Sequence, residues 1–252
     1  MAAEIDQSQV PVMQAPAAVL EIRNLCAAYG RIQVLWGISL QVFESEIVSL
    51  IGANGAGKST LLKSIIGTVK PTEGSIDFRG SSTLGKQPHA LVTSGISYVP
   101  EGRRLFPTMS TKENLRMGAP RACHDLETRF GKVFTLFPVL KDRNQQAAGT
   151  LSGGEQQMVA IGRALMSNPK LLLLDELSFG LSPIMFERVL EAIESIRDSG
   201  VSILMAEQNS ERALEVSTRT YVMENGRVEI SGNSSDLADN PKVREAYLGL
   251  AE

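Results

Sequence analysis

Cysteine, histidine and tryptophan are nearly absent from this chain, with two, two and one among 252 residues. Two thiols, Cys26 and Cys123, exclude a disulfide framework and a cysteine-rich zinc site. Two imidazoles, His89 and His124, leave little for metal chemistry built on histidine. No charge of one sign dominates either. A net charge of -3 and a pI near 5.6 exclude a broad non-specific nucleic-acid surface. Long apolar runs are missing: Leu171–Leu174 is stopped by Asp175, far short of the roughly 18 residues a spanning helix needs. The first basic residue is Arg23, so the start lacks the pattern of a signal peptide. These absences predict a reduced, cytosolic, single-domain protein that reaches a membrane only through something else.

What is present suits a globular α/β chain, with 43% hydrophobic and 21% charged residues. Residues 1–17, rich in Ala, Gln and Pro, read as a mobile tail. Val19–Ile22, Ile38–Val42, Glu46–Ile51, Ser75–Phe78 and Ile96–Val99 read as strands. A helix is expected from Ser110 to Phe137, with Glu113 at capping-box spacing from its start, and another from Gly154 to Ser167. Leu171–Leu174 and Val201–Met205 have the continuous apolar character of central parallel strands. Ser182-Pro183 opens a helix ending near Gly200, Thr220–Ile230 is a hairpin turned at Asn225-Gly226, and short C-terminal helices follow. No internal repeat is evident.

Gly52-Ala53-Asn54-Gly55-Ala56-Gly57-Lys58-Ser59 satisfies the P-loop pattern, between a buried strand and a helix as the chemistry requires. Glycines let successive amides face one centre, and the helix N-terminus adds positive potential. Lys58 reaches β- and γ-phosphates of a nucleotide, and Ser59 and Thr60 sit where hydroxyls meet Mg²⁺ and phosphate. An ordinary glycine turn is the bland alternative, and the flanking strand and helix argue against it. Further on, an apolar strand ends in Asp175-Glu176. There it delivers one carboxylate to Mg²⁺ and the other to an attacking water. A solvated acidic strand end is common, so this pair gains its meaning from the P-loop.

Leu151-Ser152-Gly153-Gly154-Glu155, followed by Gln156-Gln157 and Arg163-Ala164-Leu165, lies between these two motifs. Ser152 and two glycines make a second helix N-terminus suited to phosphate. In sequence and position the segment resembles the signature motif of ABC-transporter ATPases, and the resemblance runs from about Leu20 to Gly249. It implies an α/β fold with a P-loop NTPase (RecA-like) core, an antiparallel β subdomain and an inserted α-helical signature subdomain at about 102–160. The cassette would occupy 18–252. It also implies a head-to-tail dimer, ATP lying between one subunit's P-loop and the other's Leu151–Glu155.

More narrowly, Tyr98–Met109, Met205–Asn209, Ser178–Pro183 and Ala246–Gly249 resemble the second ATPase of bacterial high-affinity branched-chain amino-acid importers. That family implies ATP and Mg²⁺, a second ATPase subunit, two transmembrane permease subunits, an external solute-binding protein acting indirectly, and no nucleic acid. A heterodimer is expected, with a homodimer left open. The chain would sit peripherally on the cytoplasmic side of the inner membrane. Urea and amide importers have similar ATPases. A soluble non-transport ABC ATPase and a P-loop metabolic kinase are the competing classes, disfavoured by the acidic pI and the signature respectively.

Carried over by position, Tyr29 matches the aromatic that stacks on adenine. Glu101 stands where most members have a glutamine that senses Mg²⁺ and water, and Gln208 where most have a switch histidine. A glutamine can donate to γ-phosphate but cannot become a cation. Leu177 replaces the proline usual after the catalytic glutamate, which predicts a looser turn behind Glu176. Arg103–Met109 reads either as a core strip of the helical subdomain or as the lining of a groove for a permease helix. Trp36, both histidines and both cysteines carry no assigned role.

Overall fold

The computed structural model describes residues 18–121 and 123–244. The expected tail 1–17 and the Ala246–Gly249 motif lie outside them. Among the described residues, ten strands form two sheets. The antiparallel one contains β1 (Ala18–Tyr29), β2 (Ile32–Phe43), β4 (Pro71–Phe78) and β5 (Ser81–Ser82), in the order β2-β1-β4-β5. The larger contains β3 (Ile47–Ile51), β6 (Ile96–Val99), β7 (Leu171–Asp175), β8 (Ser202–Glu207), β9 (Arg219–Glu224) and β10 (Arg227–Asn233). Its order is β10-β9-β3-β8-β7-β6, parallel except for the β9–β10 hairpin.

Every residue of β3, β7 and β8 is buried, as continuous apolar runs require when both faces are covered. Alternation divides the two faces. Leu172 and Leu174 join a core with the helices, whereas Leu171 and Leu173 join one with the antiparallel sheet. Around the sheets lie α1 (Lys58–Ile65), α2 (Pro88–Ser94), α3 (Thr111–Arg116), α4 (Leu126–Leu136) and α5 (Pro138–Asp142). Then come α6 (Gly153–Leu165), α7 (Pro183–Asp198), α8 (Ser210–Val216), α9 (Ser234–Ala238) and α10 (Pro241–Val243).

The helix expected over 110–137 is in fact two. Its start stands: Ser110 and Glu113 form the reciprocal capping box. The chain then leaves the helix after Arg116. Pro120 follows, and a proline in a helix interior removes a donor and clashes with the preceding turn. Gly118 meets α6 so closely that a methyl there would overlap the Arg163 carbonyl. β1 and β2 run far beyond their predicted cores because they pair with each other almost to the Gly30 turn. The Asn225-Gly226 turn is present, both residues having left-handed φ, 49° and 76°, as a tight hairpin demands.

Candidate functional site

β3 ends at Ile51 and the glycine loop carries the chain into α1. Gly57 caps α1 at φ 103° and Gly55 lies at 84°, conformations that side chains with a Cβ resist. At Gly52 a methyl would overlap the Met223 carbonyl of β9. The β9–β10 turn also props the loop from behind: the Gly226 amide donates to Ala56 O at 3.1 Å, and Trp36 N donates to Gly226 O at 2.8 Å. Ala53, Asn54 and Gly55 face solvent. Lys58 is only 3% exposed. Its Nζ donates to Gly52 O at 2.7 Å and Ala53 O at 3.3 Å, and lies 3.3 Å from Glu176 Oε1. A buried ammonium inside a curl of amides makes an anion site.

Ser59 Oγ donates to Asp175 Oδ1 at 2.8 Å, and Tyr98 OH donates to Oδ2 at 2.7 Å. Burial, and then Asp175 itself, push the Tyr98 phenol well above its ordinary range, so it stays a donor. The charges of Glu101 and Tyr29 add smaller upward contributions to that shift. A hydroxyl and a carboxylate side by side are hard oxygen donors that fit Mg²⁺.

Glu176 follows β7 in a left-handed conformation, φ 48°. The turn behind it is not loose, contrary to the expectation from Leu177. Glu176 N donates to Ala206 O at 2.9 Å. Leu177 N and Ser178 N donate to Glu207 Oε1 at 2.8 and 3.3 Å, and Ser178 Oγ to Oε2 at 2.7 Å. The Leu177 side chain is itself buried in the core. Burial pushes the Glu207 carboxyl up to about 7, against the lowering effect of its hydrogen bonds. Gln208 is the first exposed residue beyond β8.

Ser152 caps α6 and Glu155 completes the box, accepting from Ser152 N at 2.8 Å, while Arg143 holds its other oxygen at 2.9 Å. Arg103 spans two motifs, donating to Gln156 Oε1 at 3.2 Å and to Gly180 O at 3.2 Å. Phe106 is exposed, and the loop carrying it is organised by buried Asn114, which donates to Phe106 O and Met109 O. Tyr29 is about half exposed. Sequence reasoning assigned no role to Tyr98 or Glu207. Their signal was position: each ends or nearly ends a strand at the carboxyl edge of a parallel sheet, where ligands bind in open α/β folds.

A glycine loop between a buried strand and helix, facing an acidic strand end, defines a P-loop nucleotide-binding protein. Residues 35–178 match the family model described as ABC transporter. The chain is 48% identical over 232 residues to the high-affinity branched-chain amino acid transport ATP-binding protein BraG of Pseudomonas aeruginosa, covering 92% of this chain and all of BraG. It is 34% identical to the lipopolysaccharide export system ATP-binding protein LptB of Escherichia coli, covering 92% and 98%. Among solved structures, the ADP conformation of MJ1267, an ATP-binding cassette of an ABC transporter, superposes with a TM-score of 0.81. It is 29% identical, with coverage of 93% and 100%. The chain belongs to the ABC-transporter family of ATP-binding subunits, and its fold is that of an ABC ATPase cassette.

Proposed function

We propose that this chain hydrolyses ATP to drive uptake of branched-chain or related amino acids through two membrane permease subunits. The observation carrying the ATPase reading is the convergence of Lys58, Ser59, Asp175 and Glu176 at one end of the parallel sheet. The near full-length similarity to BraG supports the solute class. In this reading the 52–57 amides and Lys58 hold the phosphates, with Thr60 beside them, and Tyr29 stacks on adenine. Ser59 and Asp175 hold Mg²⁺, with Glu101 as a further candidate ligand. The ion supplies charge neutralisation on the phosphates when bound. Glu176 is the general base that orients and polarises water. Gln208 donates a neutral hydrogen bond to the γ-phosphate side, and Glu101 senses the attacking water.

Leu151, Ser152, Gly153, Gly154 and Glu155 serve the ATP of a different ATPase chain in a heterodimer. The inserted helical subdomain spans about 102–160, and 1–17 precede the cassette. Among the described residues no helix is long and apolar enough to cross a membrane, so attachment at the cytoplasmic face runs through the permeases. The test is reconstitution in vesicles with the cognate permeases and partner ATPase. ATP-dependent uptake of labelled leucine is expected. Uptake of urea but not leucine would replace the solute class, and no coupling of ATP turnover to any permease would overturn the transport reading.

A further inference from the structure

Glu207 is a fully buried acid that none of the roles above uses. It ends β8, opposite Ile51 of β3 and directly before Gln208. Its carboxyl collects three donors from two consecutive residues, Leu177 N, Ser178 N and Ser178 Oγ. With Glu176 N on the Ala206 carbonyl, three successive amides after Asp175 are tied to the last two residues of β8. Glu176 needs such a tie, because its left-handed φ of 48° is strained for a residue with a Cβ and persists only where the surroundings impose it.

Packing alone does not call for an acid here. An apolar side chain of similar volume would fill the space, but only an acceptor satisfies Leu177 N, Ser178 N and Ser178 Oγ, because a buried donor left unmatched is costly. We propose that Glu207 is a positioning residue for hydrolysis: it clamps the Leu177–Ser178 backbone to β8 and so fixes where Glu176 presents its carboxylate. This inference rests on the reading of Glu176 as the base.

The test uses the assembled transporter, comparing Glu207→Leu, Glu207→Gln, Ser178→Ala and Glu176→Gln for turnover, ATP affinity and thermal stability. Glu207→Leu should lose about 10- to 100-fold in kcat, the scale of a misplacement of about an ångström, with ATP affinity unchanged. Glu207→Gln, whose amide oxygen still accepts from Leu177 N, should recover most of that turnover. Ser178→Ala, which removes one of the three donors, should lose kcat alone, by about 3-fold. In a Glu176→Gln background, Glu207→Leu should cause no further loss, since there is no base left to misplace. Unchanged kcat in Glu207→Leu overturns the inference. So does a joint fall of stability, affinity and kcat that glutamine does not rescue. Should Glu207→Leu fail to fold, unchanged kcat in Ser178→Ala overturns it instead. Persistent turnover in Glu176→Gln overturns the base reading and the inference with it. Lost turnover there beside an active Glu207→Leu overturns the inference alone.

Discussion

At the scale of the residue, Lys58 is held by two carbonyls and Glu176 with almost no solvent contact, so its charge is already in place for a phosphate. Lys58→Ala is expected to weaken ATP binding by about 10- to 100-fold, the equivalent of one charge-assisted contact; nucleotide titration with a circular-dichroism check of folding measures it. Leu177→Pro would restore the family's usual residue, yet here it deletes a donor to buried Glu207 and a buried leucine side chain. A loss of about 2–4 kcal/mol in stability and slower hydrolysis are expected, read by denaturant unfolding and turnover. Glu207 also makes stability depend on pH. Its folded value, about 7, lies above the ordinary 4.5, so its favourable contribution is complete below 4.5 and lost as pH rises through 7. Glu207→Gln cannot ionise and should melt higher than the parent at pH 8. That gap, on the order of 3 kcal/mol at most, should close toward pH 4.5 in a pH series of thermal melts.

At the scale of the element, local signals were readable wherever a few neighbouring residues decide the conformation. The P-loop, the boxes at Ser110 and Ser152, the Asn225-Gly226 turn and the run of β7 are all of this kind. The broken helix was not. Its pattern continues apolar through Phe137, and what ends it at Arg116 is Pro120 together with the close approach of α3 to α6. Gly162 faces Leu115 and Val133 across the same contact. Gly118→Ala should therefore push α3 off α6, with a destabilisation of about 1–3 kcal/mol from overpacking, visible as a lower melting temperature. Gly131→Ala, where a methyl has open space and the backbone is helical, should be neutral or slightly stabilising in the same assay.

At the scale of the whole molecule, the proposed heterodimer carries its own expectation. Each composite site would join one chain's P-loop and switch residue to the other's signature. The site using Lys58, Glu176 and Gln208 lacks an imidazole, and a neutral amide contact is weaker than a charge-assisted one. Low turnover by this chain alone and unequal turnover at the two assembled sites are expected. Single-turnover assays with one chain's catalytic glutamate disabled at a time decide it; equal rates from both sites would contradict the asymmetry.

The sequence by itself determined the chemistry-bearing motifs and the α/β class, because strand runs, glycine turns and helix caps are written over two to eight neighbouring residues. Only the tertiary structure decided how those motifs are held. Tyr98 reaches Asp175 across 77 positions, Arg103 reaches Gly180 across 77, and Glu207 grips Leu177 across 30. Such contacts join single residues on different elements, and a lone polar side chain leaves no period from which its partner can be read. Burial then turns these isolated pairings into constraints, since a buried donor or acceptor is costly to leave unmatched.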